Sequence, residues 1–292
     1  MDHKRKGIMF IIMAGFFFSL MSLFIRLSGD LPTMQKAFFR NVVAAVISIV
    51  MIIRSEEKLS VKKENYWYLF LRASIGTVAL IANFYAVDRL GLADANILNK
   101  LSPFFAIVFS YFILNERANK VEWMCVIMAF IGAVFVVKPT GSMRSIYATV
   151  GFASGMLAGL AYTYLRKLGQ RGERSSVIIF VFSLFSCVAT LPFLIFDYHP
   201  MTPIQFFFLL LTGAAACGGQ ICITMAYRYA PAKEISVFDY SQVLFAAVWG
   251  FMFLGQIPDY LSIIGYVIII GSAVFKWYYI LNIEDQKEIS TT

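Results

Sequence analysis

Ten apolar runs, each about 20 residues long, follow one another along the chain with short polar segments between them. A helix of this length crosses the ~30 Å hydrocarbon core of a bilayer, so each run predicts a transmembrane span. The first run follows the basic residues Lys4, Arg5 and Lys6, which are typical of a signal peptide. Because no small-residue cleavage site follows it, we interpret the run as a span. The predicted spans are Gly7–Ile25, Met34–Ile53, Tyr66–Val87, Leu92–Leu114, Val121–Val137, Tyr147–Leu165, Ser176–Ile195, Ile204–Tyr227, Glu234–Leu254 and Tyr260–Tyr279.

The two halves of the chain repeat one another at a constant offset of 140 residues. The identities at this offset are Gly15/Gly155, Leu20/Leu160, Arg26/Arg166, Ala86/Ala226, Phe105/Phe245, Ala106/Ala246, Val108/Val248, Leu114/Leu254, Ala133/Ala273, Val134/Val274 and Phe135/Phe275. One offset across both halves predicts two related units, residues 1–145 and 146–292. Because five spans is an odd number, the second unit must enter the bilayer with the opposite orientation. We therefore expect an all-α integral membrane protein with ten transmembrane helices, in two inverted-topology five-helix repeats around a central cavity. This is the architecture of many secondary transporters.

The composition argues against a water-soluble fold and explains the basic charge. Of the 292 residues, 60% are hydrophobic and 14% are charged, and the mean hydropathy is +0.73. Soluble domains are about half apolar and a quarter charged. With the N-terminus in the cytoplasm, 17 lysines and arginines fall in cytoplasmic segments, and the outer segments hold five: Arg26, Lys36, Arg89, Lys138 and Arg144. This bias predicts both termini in the cytoplasm and a multi-pass protein of the plasma membrane. The net charge of +8 therefore reflects topology and indicates no nucleic-acid partner.

Residue usage leaves little room for metal, cofactor or enzyme chemistry. The four cysteines lie inside apolar runs, where they are typical core filler. The two histidines, His3 and His199, lie outside the spans, so zinc sites and histidine-based catalysis have few candidate groups. A Ser–Lys arrangement of Ser102 and Lys100 remains, but residues two apart on a helix face different directions. No G-x-x-x-x-G-K-[ST] nucleotide loop occurs. We expect no enzyme, no cofactor and no metal.

Two corresponding stretches, Phe84–Lys138 and Ala226–Phe275, carry the same series of short motifs. A span ending in Tyr-Ala is followed by a Leu-Ala-Asp-Ala or Ala-Pro-Ala turn, and the next span closes in Leu-Asn-Glu-Arg or Leu-Gly-Gln. The following helix carries Gly-Ala-Val-Phe or Gly-Ser-Ala-Val-Phe. This pattern resembles the ten-span, EamA-like branch of the drug/metabolite transporter superfamily. The resemblance implies a central cavity lined mainly by the third, fourth, eighth and ninth spans. Gln256 stands where the first half has Glu116, so we assign that position no coupling role.

Ionisable side chains inside the spans are the first candidates for a substrate site, because burying one in a bilayer costs about 2.5–3.5 kcal/mol. Lys100 lies roughly 12 Å into the fourth span at 1.5 Å per residue. Asp239 lies near the start of the ninth span. The offset of 140 aligns Asn99 with Asp239 and Lys100 with Tyr240. We predict that Lys100 and Asp239 point into one cavity, pair directly or through water, and respond to substrate or to a proton; a purely structural ion pair is the alternative.

Further candidates surround this pair in sequence. The predicted substrate-binding residues are Lys100, Asp239, Asn96, Asn99, Arg40, Tyr240, Gln242, Tyr85, Gln220 and Trp249, and the proton-coupling candidates are Asp239 and Glu234. The polar members of the fourth and ninth spans share helix faces, although interhelical hydrogen bonding alone would explain that grouping. Arg40 is suited to an anionic substrate group. Arg72 lies near a helix end, where we expect it to reach the interface, and Glu234 is also suited to capping its helix.

The leading hypothesis is a secondary carrier that exports a small, amino-acid-like metabolite by alternating access, with possible proton coupling. A flippase of a lipid-linked or amphiphilic solute is the alternative within transport, and an intramembrane enzyme or a channel fits less well. Gly151, Gly155 and Gly159 lie on one helix face, a small-xxx-small pattern. We interpret it as packing within a monomer, and a homodimer contact is the alternative. The predicted partners are therefore a small-molecule substrate and the lipid bilayer.

Overall fold

The computed structural model describes residues 3–54, 61–115, 118–138, 142–229 and 236–291. Across these ranges the chain forms eleven α-helices, and Lys63–Asn65 and Ser236–Tyr240 form short 3₁₀ helices. The α-helices are α1 (His3–Leu27), α2 (Thr33–Ile53), α3 (Tyr66–Arg89), α4 (Leu92–Asn99), α5 (Ser102–Ile113), α6 (Lys120–Val137), α7 (Met143–Gln170), α8 (Ser175–Phe196), α9 (Pro203–Tyr229), α10 (Ser241–Leu254) and α11 (Tyr260–Thr291). The start predicted for the ninth span, Glu234, lies outside the described residues.

Ten segments of the described chain are long and apolar enough to cross a membrane, which confirms the predicted span count. The fourth of them, Leu92–Ile113, contains both α4 and α5. The predicted fourth span is therefore confirmed in extent, and it consists of two helices with a break between them. The ninth span likewise combines the 3₁₀ helix Ser236–Tyr240 with α10.

The packing of the helices repeats when the two halves are exchanged. Helix α1 of the first half packs along α9 of the second, and the equivalent pair, α7 of the second half and α3 of the first, packs in the same way. The contact of α1 with α10 is matched by that of α7 with α5, and that of α2 with α9 by that of α8 with α3. The pairs α2/α8 and α6/α11 each join equivalent helices. This arrangement has a two-fold relation between five-span halves, and their odd span count places the axis in the membrane plane.

The break in the fourth span falls at Lys100 and Leu101, between α4 and α5. Pro103 is the second residue of α5. A proline in the first turn of a helix is well tolerated, but it lacks the N–H that a continuous helix would need there. The corresponding change in the second half falls at Tyr240, where the 3₁₀ helix gives way to α10. Both interruptions therefore occupy equivalent places in the bundle, at positions that align in the repeat.

The glycine face of α7 packs against the broken span. A Cβ atom at Gly155 would overlap the carbonyl oxygen of Leu98, and one at Gly159 would lie 2.7 Å from the carbonyl oxygen of Ser102. At Gly151 the nearest atom would be a methyl group of Leu98 at 3.1 Å. All three glycines thus face the fourth span, and they let the backbone of α7 approach the break between α4 and α5 closely.

Candidate substrate site

Lys100 and Asp239 meet where the two interrupted spans approach each other. Lys100 is the C-cap residue of α4, and Asp239 lies in the 3₁₀ helix before α10. The Lys100 Nζ atom donates to Asp239 Oδ2 at 2.5 Å, and the two side chains are 10% and 15% exposed. The structure therefore brings the two predicted ionisable residues into direct contact, with little access to water.

Asp239 has one oxygen engaged and one available. Its Oδ2 atom accepts from Lys100, whereas its Oδ1 atom is buried and has no hydrogen-bond partner among the described residues. The hydroxyl of Ser241, two residues further on, is buried and unpartnered in the same part of the chain. A buried acceptor without a donor costs free energy unless a ligand or a proton supplies the missing partner. This end of the ninth span is thus prepared for a hydrogen-bond donor.

Tyr240 connects the two helix breaks. Its hydroxyl donates to the main-chain oxygen of Lys100 at 3.0 Å, and its side chain is buried. The break between α4 and α5 leaves main-chain oxygens without helical donors. The Tyr240 hydroxyl provides the hydrogen-bond donor for one of these oxygens. Tyr240 therefore fixes the backbone of Lys100 at the break.

Asn96 and Gln242 are engaged with each other. Gln242 Nε2 donates to Asn96 Oδ1, which also accepts from the Ser22 hydroxyl at 3.3 Å. The Asn96 amide in turn donates to the main-chain oxygen of Leu92 at 2.8 Å. These bonds tie α1, α4 and α10 together one turn from the Lys100–Asp239 pair. In this conformation both residues serve interhelical bonding, the alternative that their spacing left open.

The remaining predicted residues lie at several places in the bundle. Asn99, the last residue of α4, is half-buried, as is Gln220 in α9. Trp249 donates from its indole to Ser19 Oγ at 2.9 Å and so fixes α10 against α1. Tyr85 stacks under the guanidinium of Arg89 at 3.8 Å, near the end of α3. Glu234 belongs to the residues that the structure does not describe.

Arg40 lies inside the bundle, and Arg72 differs from its expected position. The guanidinium groups of Arg40 and Arg72 lie 5.9 Å and 4.7 Å from the centre of the Phe182 ring. The Arg72 side chain points along α3 toward Gly76, where a Cβ atom would overlap its Nη1 atom. It therefore extends away from the nearby start of the helix, where an interfacial side chain would turn. Phe182 was not among the predicted residues, because a phenylalanine in an apolar run carries no signal of its own.

A network of charged residues that sequence reasoning missed joins the segments at the predicted outer end. Arg144 contacts Asp94 at 2.9 Å and Asp259 at 3.1 Å. The Tyr266 hydroxyl donates to Asp94 at 2.7 Å, and Lys138 pairs with Asp259. The sequence signal was present in the acidic Leu-Ala-Asp-Ala turn and in the charges beside the last two spans. What it lacked was any indication that these segments meet.

The hydrogen bonds of this network control the ionisation of Asp259, which lies just before the tenth span. Partial burial acts to raise the pKa of the Asp259 carboxyl group. Hydrogen bonds from Lys138 and from the Ser262 main chain, with the charges of Lys138 and Arg144, outweigh that effect and lower the pKa to about 2. At this end Gln256 also accepts from the main-chain N–H of Leu92 at 2.9 Å. Gln256 thus caps α4, a role that needs no charge.

A second buried Lys–Asp pair lies away from the breaks. Lys36 donates to Asp88 at 2.7 Å and to the main-chain oxygen of Ile25 at 3.2 Å. The Lys36 side chain is 1% exposed. The described residues include no group of three or more His, Cys, Asp or Glu side chains that could hold a metal ion. The two buried lysines of the described bundle are thus each paired with an aspartate.

Comparison with known proteins decides the family. The EamA-like transporter family matches residues 5–138 and again residues 145–277. The chain belongs to this family. The resemblance inferred from the two repeated motif series is therefore confirmed, and the protein is a multi-pass membrane transporter and not an enzyme.

Relatives with names cover nearly the whole chain. It is 30% identical over 277 residues to the pseudopaline exporter CntI of Pseudomonas aeruginosa strain UCBPP-PA14, covering 94% of this chain and 96% of that protein. It is 25% identical over 293 residues to human solute carrier family 35 member G1, covering 93% and 80%. A riboflavin transporter of Rhizobium johnstonii is 23% identical over 276 residues, covering 92% and 90%. A solved crystal structure superposes with a TM-score of 0.65 at 14% identity, covering 91% of this chain and 94% of the other, and so shares the fold.

Proposed function

We propose that this EamA-like protein is a secondary transporter that exports a small organic metabolite by alternating access. The observation that carries the proposal is the Lys100–Asp239 ion pair at 2.5 Å, held where the fourth and ninth spans are both interrupted. In transporters built from inverted repeats, substrate and coupling-ion sites lie between the repeats at such discontinuous helices. Each repeat contributes one member of the pair here, so relative movement of the repeats acts directly on it.

The pair suits a solute that carries both an amine and an acidic group. A substrate amine competes with Lys100 for Asp239, whose Oδ1 atom has no partner among the described residues. A substrate carboxylate competes with Asp239 for Lys100. Because both side chains are mostly buried, only a ligand that replaces the lost charge interaction can separate them at moderate cost. The proposed substrate class is therefore an amino-acid-like metabolite.

Proton coupling through Asp239 is part of the proposal. When the substrate amine leaves, the carboxylate either returns to Lys100 or takes a proton in a site that excludes most water. The unpartnered Oδ1 atom of Asp239 is the place for that proton. Glu234, the other coupling candidate, lies outside the described residues, so Asp239 carries this part of the proposal.

The two-fold packing of the halves supports alternating access. Equivalent contacts such as α1/α9 and α7/α3 can exchange their geometries, so that the cavity opens first to one side and then to the other. The Arg144, Asp94 and Asp259 contacts join the segments at the predicted outer end. With the termini in the cytoplasm and the protein in the plasma membrane, as the charge bias predicts, substrate would enter from the cytoplasm. Export is supported by the name of one relative, a pseudopaline exporter.

A flippase of an amphiphilic solute remains the second candidate within transport. Flipping needs a polar path for a headgroup at the lipid-facing surface. A groove between α10 and α11 opens on that surface, and its lining is apolar apart from one tyrosine: Val243, Leu244, Ala247, Ile263, Tyr266, Val267 and Ile270. Such a lining suits an acyl chain and offers little to a headgroup, so the groove favours the metabolite over the lipid-linked solute.

Untargeted metabolite exchange tests the proposal. Cells expressing the wild type, Lys100→Ala or Asp239→Asn are compared for solutes that accumulate in or disappear from the medium. We expect a small set of amino-acid-like solutes to move with the wild type and to move at least about 100-fold more slowly with either variant, since a lost charged contact costs several kcal/mol.

The buried Lys36–Asp88 pair supplies the matched control. Asp88→Asn makes the same chemical change to a Lys–Asp pair outside the helix breaks. Transport per folded molecule should be retained in that variant. Equal loss in Asp88→Asn and Asp239→Asn would contradict the assigned role of Asp239. Movement of lipid-linked solutes alone would favour the flippase.

A further inference from the structure

Two arginines from neighbouring helices converge on one aromatic ring inside the bundle. The Arg40 guanidinium, from α2, lies 5.9 Å from the centre of the Phe182 ring in α8. The Arg72 guanidinium, from α3, lies 4.7 Å from the same centre. Both α2 and α3 pack against α8. We call these three residues the arginine site.

Neither arginine of the site has a carboxylate partner within the described ranges. Arg40 is 9% exposed; its Nη1 atom donates to Asn41 Oδ1 at 2.7 Å, and its Nε atom is buried with no partner. The Nε and Nη1 atoms of Arg72 are likewise buried without partners. The ion pairs of the described chain involve other residues. The arginine site thus holds two positive charges and at least three unused donors.

The surroundings of the site hold the guanidinium groups in place without neutralising them. Besides Arg72, the ionisable side chains that interact with Arg40 are Cys187, Cys217 and Tyr162, and none of them is a carboxylate. At Gly76 a Cβ atom would overlap Arg72 Nη1 and lie 3.1 Å from the Phe182 ring, so the absence of a side chain there makes room for both. The ring attracts each cation modestly. It cannot offset the burial of two like charges.

Two guanidinium groups with buried, unpartnered donors and no carboxylate beside them indicate that an anion completes the site. We propose that Arg40 and Arg72 bind an oxyanion group, a carboxylate or a phosphate, of the transported solute. The planar guanidinium offers parallel N–H donors that match both kinds of group. The proposal rests on the transport function proposed above and narrows it, because the substrate must then carry an anionic group in addition to whatever engages Lys100 and Asp239.

The test measures anion binding to the full-length chain, independently of transport. The purified protein in phosphatidylcholine nanodiscs is titrated with citrate, with inorganic phosphate or with neutral glycerol at constant ionic strength, and its apparent melting temperature is followed. A ligand that binds only the folded state raises that temperature. We expect citrate or phosphate to raise it in the wild type, and glycerol at the same concentration to leave it unchanged.

Substitutions at the site separate binding from structural support. Arg40→Gln and Arg72→Gln should each weaken oxyanion binding about 10- to 100-fold, the range for hydrogen bonds to charged groups. Without anion, both variants should melt at or above the wild-type temperature, because each removes an unpaired buried charge. Arg40→Lys keeps the charge but loses the fork and should bind with intermediate affinity. Arg89→Gln, which alters an arginine stacked on Tyr85 in the same helix α3, should bind like the wild type.

Several outcomes would overturn the inference. The first is no shift with either oxyanion, and the second is an equal shift in Arg40→Gln, Arg72→Gln and Arg89→Gln. Lower melting temperatures of both glutamine variants, with anion binding intact, would make the arginines structural. A shift seen only when phosphatidylglycerol is added to the nanodiscs, and lost in the variants, would assign the site to lipid phosphate. Metabolite exchange that continues unchanged in Arg40→Gln and Arg72→Gln would overturn this inference while leaving the transport function standing. Absence of exchange in the wild type would instead overturn the transport function, and the oxyanion titration would then still decide whether the two arginines bind an anion.

Discussion

The Lys100–Asp239 pair and the arginine site handle buried charge in opposite ways. Lys100 contacts a carboxylate at 2.5 Å and contributes to a locally neutral pair. Arg40 and Arg72 contact the ring of Phe182, and no carboxylate of the described residues pairs with them. In the first arrangement the lysine already has a carboxylate partner, so a ligand must separate the two groups. The second is incomplete and must be completed by one.

This difference predicts opposite effects on stability when the charges are removed. Removing one member of a buried ion pair leaves the other charge unpaired, which typically costs about 3–5 kcal/mol. Removing an arginine that already lacks a partner relieves a cost. A residue that lowers the stability of the fold is expected where it is needed for function. Removal of a charge should therefore stabilise the fold at the arginine site. At the Lys100–Asp239 pair, removal of one charge should destabilise it, because the two side chains interact.

The largest expected effect is on the Lys100–Asp239 pair. Asp239→Leu should lower the free energy of unfolding by about 3–5 kcal/mol, because Lys100 is left buried without its partner. The double variant Lys100→Met/Asp239→Leu should recover most of that loss, because both charges are gone. Neither variant should transport. Denaturant unfolding in a lipid-mimetic micelle measures the stability of the wild type and of the two variants, and metabolite exchange measures their transport.

The single variant Lys100→Met completes the double-mutant cycle for this pair. If the effects of the two single substitutions add, the two side chains do not interact in the folded protein. Additivity would thus contradict the direct ion pair and remove the contrast with the arginine site. A coupling free energy above about 1 kcal/mol, well beyond the 0.3–0.5 kcal/mol scatter of independent sites, would support it.

A second prediction concerns a substitution that gives Arg40 a carboxylate partner. Cys187 lies near enough to Arg40 to interact electrostatically. Cys187→Asp should supply the missing carboxylate, raise the apparent melting temperature relative to Cys187→Asn, and abolish the shift caused by citrate. The expected gain is about 1–3 kcal/mol, the range of a hydrogen bond to a charged group.

Cys187→Asn matches this change in size and polarity but carries no charge. Since it leaves Arg40 unpaired, citrate should still raise its melting temperature. Loss of the citrate effect in both variants would mean that the substitution disturbs the site sterically. In that case the absence of a carboxylate would no longer explain the anion binding.

Much of the fold could be predicted from the sequence because the bilayer restricts the chain so strongly. Apolar length fixes the spans, and the offset of 140 residues fixes their repetition. The same offset placed Lys100 beside Tyr240 and Asn99 beside Asp239, which was enough to predict the meeting of Lys100 and Asp239. The break between α4 and α5 was missed, since hydropathy averaged over a window does not detect two residues that leave the helix.

The arginine site and the outer charged network could not be predicted, for two physical reasons. The depth of Arg72 in its span favoured the interface, whereas its side chain occupies the space beside Gly76. The Tyr266–Asp94 bond joins residues 172 positions apart in sequence. No repeat or periodicity relates such residues, so their contact emerges only from the packing of the helices.

A third prediction uses the outer network, whose charges are paired but accessible. The Arg144 side chain is 52% exposed, and it contacts Asp94 and Asp259. Arg144→Gln should lower the free energy of unfolding by no more than about 1 kcal/mol, as for other exposed ion pairs. It should also favour opening at that end, measured as faster labelling of a cysteine placed at Asn99. Unchanged labelling would mean that the network does not hold the outer end closed.

The smallest expected effect is the pH dependence that Asp259 contributes. Its pKa of about 2 in the folded protein lies below the usual value, which is about 3.9 for an unfolded aspartate. A carboxyl group with a lowered pKa stabilises the fold while it is ionised, so this contribution is fully present above about pH 5 and is lost as the pH falls through about 2. The difference in unfolding free energy between the wild type and Asp259→Asn should therefore be constant above about pH 5 and shrink below it. A difference that grew on acidification would reverse the sign, and the Lys138 and Arg144 contacts could then not be what holds Asp259 ionised.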